Sequence, residues 1–290
     1  MTIREARNRG AAALGSGHIE SAALDAALLL AEVLNTDRTG VIVRGEETLS
    51  GADFSRYTKL LERRLEGECI AYIRGRKEFY GLEFLVTDHV LVPRSDTEIL
   101  AETALKAIMQ SSGEAEGPLV LDLCTGSGAL AITLKHEYPA ARIWASDISE
   151  AALSVARLNA ERLIPQGGVH FVQGSLLEPF SDPPSGLPRR FNFIVTNPPY
   201  IPSAEIENLA PEVRREPRLA LDGGRDGLEL IKKIITEARE HLLPEGRILL
   251  EADPREMYNI TEILRNNGFE NIEIYRDLAG RDRVIGGRQR

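Results

Sequence analysis

Asn197-Pro198-Pro199-Tyr200 follows directly on the apolar run Phe191–Thr196, and its residue types suit one demanding kind of chemistry. An amide nitrogen, like the exocyclic amine of a base, is planar with a delocalised lone pair, so it attacks an electrophile poorly unless it is held in place. The Asn197 side-chain oxygen and the Pro198 carbonyl can each accept one N–H of an NH2 group, orienting the nitrogen and favouring charge build-up on it. Pro198 and Pro199 stiffen the loop, and Tyr200 can pack on a planar acceptor. A proline-rich turn opened by an Asn would look the same in isolation. A second constellation weighs against that bland reading. The run Leu119–Leu123 leads through Cys124-Thr125-Gly126-Ser127-Gly128 into a helix predicted from Ala129. Glycines there let the backbone approach a ligand, and a helix N-terminus offers unpaired N–H groups. About 20 residues further on, Asp147 ends another apolar run, where a carboxylate can accept hydrogen bonds from both hydroxyls of a ribose. Asp147 could equally cap a helix starting at Ser149.

Gly126-x-Gly128-x-x-Ala131 also satisfies the dinucleotide fingerprint, so a nicotinamide enzyme competes. Asp122 counts against it, because a carboxylate ending the first strand suits the ammonium of an amino-acid-bearing cofactor and would repel a pyrophosphate. The balance favours S-adenosylmethionine. Cys124 has no His nearby in sequence to activate it and reads as a small, half-buried residue. The five histidines and two cysteines show no metal-ligand spacing, and the basic cluster Arg74-Gly75-Arg76-Lys77 reads as a solvated face.

The elements that must position these residues fall into two patterns. From Thr2 to Gly67 the pattern is helical, with Leu24, Ala27, Leu28, Ala31 and Leu34 marking one apolar face and Ser50 with Asp53 starting a later helix, which implies a small bundle. Lys77–Phe84 and Leu85–Val92, around Gly81 and Asp88, read as a β-hairpin or two short strands. Ser95-Asp96-Thr97-Glu98 reads as a capping box opening a helix to about Gln110, and 111–118 as a small-residue loop. Beyond Pro118, strands are predicted at Leu119–Leu123, Arg142–Asp147, Val169–Val172, Phe191–Thr196, Arg247–Glu251, Ile272–Tyr275 and Arg283–Gly287, mostly divided by helices. Such alternation implies a mainly parallel sheet with helices on both faces and ligands at the strands' carboxyl ends. The last two strands lie too close for a crossover and should pair antiparallel. Glu178–Arg190, with its prolines, reads as a surface loop.

The chain of 290 residues is 43% hydrophobic and 27% charged, which excludes a disordered, collagenous or disulfide-framework protein. Its net charge of −9 is not confined to one end and offers no general footprint for nucleic acid. The longest apolar stretch, Ala22–Val33, is interrupted by Asp25 and Glu32, so neither a signal peptide nor a membrane span is expected, and the two cysteines fit a reducing, cytoplasmic setting.

The motifs together resemble the release-factor glutamine methyltransferases. The likeness includes Tyr72-Ile73-x-Gly75, Pro93-Arg94-x-Asp96-Thr97-Glu98, the Asp122–Gly128 cradle, Asn197–Ile201 and the run Glu216-Pro217-x-x-Ala220-Leu221-x-Gly223-Gly224-x-Asp226-Gly227. That resemblance implies methyl transfer from S-adenosylmethionine to the side-chain amide of the Gln in the Gly-Gly-Gln motif of class 1 peptide chain release factors. It implies an α/β, Rossmann-like seven-stranded methyltransferase domain over 93–290, preceded by a helical substrate-docking bundle over 1–76 and a β-hairpin linker over 77–92. It also implies that Cys124, Thr125, Gly126, Ser127, Gly128 and Asp147 hold the cofactor, with Leu176 on its adenine side. Asn197, Pro198, Pro199 and Tyr200 would hold the amide, Asn197 also touching the cofactor. Asn197, Pro198 and Tyr200 would carry catalysis, in a monomer that binds neither nucleic acid nor membrane. Three positions depart from the family pattern. Cys124 replaces a first glycine, which is tolerable if the position needs no positive φ. Ser175 stands where an acid is common. Glu251-Ala252-Asp253 replaces Glu-x-Gly, leaving Glu251 either a site residue or a mere cap of the next helix. The rivals are a glutamine methyltransferase of a ribosomal protein, an adenine-N6 methyltransferase of nucleic acid, and a protein that only senses the cofactor.

Overall fold

Short apolar runs separated by amphipathic helices can bury both of their faces only in a layered α/β sheet, and the computed structural model, which describes residues 1–111 and 117–290, has that architecture. Most of the loop expected over 111–118 lies outside the described residues. The chain forms two compact units, one of Met1–Arg76 with Ala210–Arg215 and one of Lys77–Leu209 with Glu216–Arg290.

The first unit is a bundle of α1 (Ile3–Ser16), α2 (Ala22–Val33), α3 (Arg38–Val43), α4 (Gly51–Leu65) and α5 (Ile70–Arg74). Thr2 caps α1 in a capping box with Glu5, and Ser50 Oγ caps α4 by accepting from the Asp53 amide at 3.0 Å. The apolar face assigned to α2 needs correction. Leu24 is exposed, while Ala26, Leu29, Leu30 and Val33 are buried together with Ala27 and Ala31. Because α2 is apolar almost all round, spacings of three and four fit more than one face, and tertiary packing chooses between them. The same helix buries Asp25, whose carboxylate meets Arg64 Nε at 2.8 Å. Arg64 also reaches Glu212 at 2.5 Å, on the four-residue helix Pro211–Arg214 that this unit borrows from far along the chain.

In the second unit, β1 (Arg76–Phe79) and β2 (Leu82–Leu85) make one hairpin about Tyr80-Gly81. The strand expected over Leu85–Val92 does not form. After Leu85, whose N–H donates to Asn159 Oδ1 at 2.7 Å, the chain runs irregularly to a 3-10 turn at Ser95–Thr97. Then come α6 (Glu98–Gln110), β3 (Leu119–Leu123), α7 (Ala129–Glu137), β4 (Arg142–Asp147), α8 (Glu150–Leu163), β5 (Val169–Gln173) and α9 (Glu178–Ser181). After β6 (Phe191–Thr196) and α10 (Pro211–Arg214, the helix already placed in the first unit) follow α11 (Glu229–His241), β7 (Leu242–Glu251), α12 (Met257–Asn266), β8 (Phe269–Arg276) and β9 (Asp282–Gln289). The seven-stranded sheet has the order β5-β4-β3-β6-β7-β9-β8, parallel except that β9 runs against both β7 and β8, as the short connection requires. Side chains alternate across it. Val120, Phe193, Val195 and Leu249 pack under α6 and α7, and Leu121, Leu123, Ile194, Ile248 and Leu250 pack against α11 and α12.

Two further expectations are corrected. Ser95–Glu98 makes no capping box, because Glu98 Oε1 accepts from the Tyr80 amide at 3.1 Å and the first turn of α6 has no side-chain cap. Glu178–Arg190 is not wholly loop, since its first four residues, Glu178–Ser181, form one helical turn, compatible with Pro179 near its start, that buries Phe180.

The buried Arg64 charge sets a stability test. Asp25→Ala should destabilise the first unit by about 3 kcal/mol, because it strips an inward-facing guanidinium of its buried partner. Glu212→Ala, at a partly exposed partner, should cost less than about 1 kcal/mol. Urea unfolding of the two variants checks the difference, and equal losses would refute it.

Candidate functional site

Parallel pairing brings four strand ends to one edge of the sheet. Leu123 pairs with Ser146 on one side and Thr196 on the other, and Thr196 pairs with Leu250. The residues that follow, Cys124, Asp147, Asn197 and Glu251, therefore stand side by side. The chain order reverses between β3 and β6, the switch point at which open α/β sheets bind ligands. A cleft opens there, lined by Cys124, Gly126, Asp147, Leu176, Asn197 and Pro199 among the expected residues. His89–Leu91, Ser175, Leu219 and Ala220 complete much of its wall.

The cradle is shaped by left-handed backbone. Cys124 has φ 59°, Gly126 φ 55° and Gly128, the N-cap of α7, φ 79°. Cys124 thus stands where the positive φ is needed after all, a strained place for a residue with a side chain. A Cβ at Gly126 would meet nothing and would project into the cleft, so a bare backbone is what this wall presents. Asp147 does not have to choose between its two readings. Its Oδ2 accepts from the Gly126 amide and its Oδ1 from the Ser149 amide, both at 2.9 Å, while Ser149 itself caps α8. Burial raises the Asp147 carboxyl, and those backbone donors pull it partly back.

Other expected residues stand behind the cleft wall. Asp122 Oδ2 accepts from Thr125 Oγ1 at 2.6 Å and from the Ala131 amide at 3.2 Å, which ties the cradle to the first turn of α7. It does not line the cleft, and neither do Thr125, Ser127, Gly128, Pro198 and Tyr200. Burial pushes the Asp122 carboxyl up to about 7, with Thr125 and Ala131 opposing the rise. Burial likewise raises the Cys124 thiol, with Asp147 and Asp122 adding to it, which argues against a thiolate nucleophile.

Asn197 Nδ2 donates to Thr97 Oγ1 at 3.1 Å, and Tyr200 Oη donates to Glu251 Oε1 at 3.2 Å. Glu251 is therefore no helix cap, a task that Asp253 performs by accepting from the Arg255 amide at 2.8 Å. Thr97 was legible only as a helix starter, since its partner lies 100 residues away. The run Glu216–Gly227 braces the loop that follows Asn197. Glu216 accepts from the Val92 amide and pairs with Arg94, and Ile201 bridges to Asp222. Gly223 is needed where it stands, because a Cβ would fall 2.7 Å from Tyr200 Cα and 2.9 Å from the Pro199 carbonyl oxygen. Among the described residues no cluster of His, Cys, Asp or Glu could hold a metal, and no helix is long and apolar enough to cross a membrane.

Comparison with known proteins agrees with this geometry. Residues 5–75 match the family model described as PrmC N-terminal domain, and residues 97–221 the one described as Methyltransferase small domain. A release factor glutamine methyltransferase of Moorella thermoacetica is 38% identical over 98% of this chain and 98% of its own. Another, of Burkholderia pseudomallei, is 43% identical over 92% of each chain. Among solved structures, the T. thermophilus 16S rRNA N2 G1207 methyltransferase in complex with AdoMet and guanosine matches 74% of this chain and 50% of that one, with TM-score 0.53 and 17% identity. The hMettl16 catalytic domain matches 84% of each chain, with TM-score 0.55 and 14% identity. These two likenesses concern the fold. The cofactor is S-adenosylmethionine.

Asp122 makes stability depend on pH. Its folded pKa lies above that of an unfolded carboxyl, so the folded state binds the proton more tightly; this contribution is complete below about pH 4 and is lost as pH rises through about 7. Asp122→Asn should flatten that slope. Thermal melts of both proteins from pH 4 to 8 should show the variant gaining on the wild type up to about pH 7 and then running parallel. Parallel curves throughout would show that Asp122 does not titrate there.

Proposed function

The chain belongs to the release factor glutamine methyltransferase family, and from that membership we propose that it methylates the side-chain amide nitrogen of the Gln in the Gly-Gly-Gln motif of class 1 peptide chain release factors. The observation that carries the reading is that Asn197 lines the same cleft as Cys124, Gly126 and Asp147, so an amide clamp and a cofactor cradle share one space.

S-adenosylmethionine, when bound, supplies the electrophilic methyl group. The open backbone at Gly126 and the strand-end carboxylate of Asp147 fit such a ligand, with Asp147 taking the ribose hydroxyls and Leu176 packing on the adenine side. The rest of the work is orientation. Asn197 Oδ1 and the carbonyl of Pro198, which adjoins the cleft between its two lining neighbours Asn197 and Pro199, each accept one N–H of the glutamine amide, aligning its nitrogen and stabilising the positive charge that grows on it. Pro199 and Tyr200 keep the loop stiff, and Tyr200 is itself fixed by Glu251. No residue of 1–76 lines the cleft, which supports assigning that bundle to docking of the protein partner. Ile42 and Val43 on α3 are exposed, a suitable apolar contact.

Radiolabelled methyl transfer with release factors, ribosomal proteins and nucleic acid offered separately tests the proposal. Label should enter the release factor alone and vanish when its Gly-Gly-Gln glutamine is replaced; label in a ribosomal protein or in nucleic acid would overturn it. Asn197→Ala should lower kcat by about 100-fold, the scale of losing a preorganised polar group, with a much smaller change in cofactor affinity by calorimetry. The double variant Ile42→Ser, Val43→Ser should raise KM for an intact release factor several-fold at unchanged kcat. Unaltered KM would remove α3 from docking.

A further inference from the structure

A side-chain amide can turn either its oxygen or its NH2 toward a ligand, and only the oxygen can receive an acceptor N–H. What turns Asn197 the right way lies behind the cleft wall. Its Nδ2 meets Thr97 Oγ1 at 3.1 Å. A hydroxyl both donates and accepts, however, so Thr97 alone would tolerate either orientation of the amide. The next group inward removes that ambiguity. Glu251 is 1% exposed; its Oε1 accepts from Tyr200 Oη, and its Oε2 is buried with no hydrogen-bond partner among the described residues. An ionised carboxylate can only accept.

We propose that Thr97 and Glu251 are positioning residues that set the direction of the Asn197 amide. Glu251 takes the Thr97 hydroxyl proton in a hydrogen bond, Thr97 Oγ1 is then left able only to accept, Asn197 Nδ2 supplies that bond, and Asn197 Oδ1 faces the acceptor. The inference rests on the reading of Asn197 as an amide clamp. Several observations support it. The Thr97 side chain makes no cap bond to α6, so its hydroxyl is not spent on the helix. Asp253 relieves Glu251 of capping. Burial raises the Glu251 carboxyl and Asp96 adds to the rise, while a hydrogen bond from the Thr97 side chain, the Arg283 guanidinium and the Tyr200 hydroxyl oppose it. Arg283 on β9 is itself shared with Asp96 and Asp277.

The test uses the full chain and an intact release factor. Thr97→Val deletes the hydroxyl at nearly constant volume, Thr97→Ser restores it, and Glu251→Gln replaces an acceptor-only group by one that also donates and so lets the chain of bonds run backwards. Thr97→Val and Glu251→Gln should each lower kcat about tenfold or more, with KM for the release factor, cofactor affinity by calorimetry and Tm close to wild type. Thr97→Ser should recover most of the loss. Wild-type kcat in either Thr97→Val or Glu251→Gln overturns the proposal. So does a loss that falls on cofactor affinity or Tm and is not recovered by serine, because that marks a merely structural role. A wild-type chain that transfers no methyl to a glutamine amide would sink the reading beneath it, and the wild-type arm reveals that separately.

Discussion

Four parallel strands that stop at one height are the constraint on which the site depends. Once Leu123, Ser146, Thr196 and Leu250 are paired in register, the residues after them must share an edge, whatever the loops beyond do. The chain must then turn sharply to leave the sheet, and it does so in left-handed backbone at Cys124, Gly126 and Gly128, and again at Leu176 after β5. Cys124 and Leu176 carry side chains at positive φ, a conformation that costs on the order of 1 kcal/mol or more each. Both line the cleft. Strain of this kind persists only where surrounding structure over-determines it, and here the pairing of β3 with two neighbours and of β4 with β5 does so.

What the sequence disclosed follows from how local each signal was. The central strands β3, β4 and β6 were legible because each is a short, largely buried apolar run, and the cradle because its glycines lie within a few residues of a strand end. Two strands proved longer than expected, since the polar residues of Phe269–Arg276, at the sheet's edge, and the start of Leu242–Glu251 hide their pairing. What failed locally was decided elsewhere in the molecule. Ser95–Glu98 has the composition of a capping box, but Glu98 is claimed by the Tyr80 amide and Thr97 by Asn197. Glu251 could be read only as a cap or a site residue until Asp253 was seen to cap and Tyr200 to face it. Glu216–Gly227, recognisable by family likeness alone, owes Gly223 to a steric demand, because that residue must lie against Tyr200 and Pro199.

The same edge concentrates buried carboxylates in a chain that already carries a net charge of −9. Asp147 and Glu251 end their strands, Asp122 lies one residue before the end of its own, and burial raises each of them. Asp122 Oδ2 is held by Thr125 and the Ala131 amide and Glu251 Oε1 by Tyr200, and neither residue lines the cleft. Asp147, by contrast, lines the cleft with both oxygens oriented by backbone donors, which leaves it fit to recognise hydroxyls by direction.

That division of labour bears on how a poor nucleophile can be used at all. A general base would have to reach the acceptor nitrogen, yet Glu251 is walled off and Cys124 is held as a neutral thiol by burial and by two neighbouring carboxylates. Asn197 and Pro199 line the cleft, and Asn197 is held from behind by the bond of its Nδ2 to Thr97. Under the proposed reading, rate therefore comes from orientation. A clamp of this kind has little means to tell a glutamine amide from another planar amine, because both offer two N–H groups in one plane. Under that reading, discrimination has to come from surfaces away from the clamp, and the net charge of −9 is one such feature, because it disfavours a phosphate backbone.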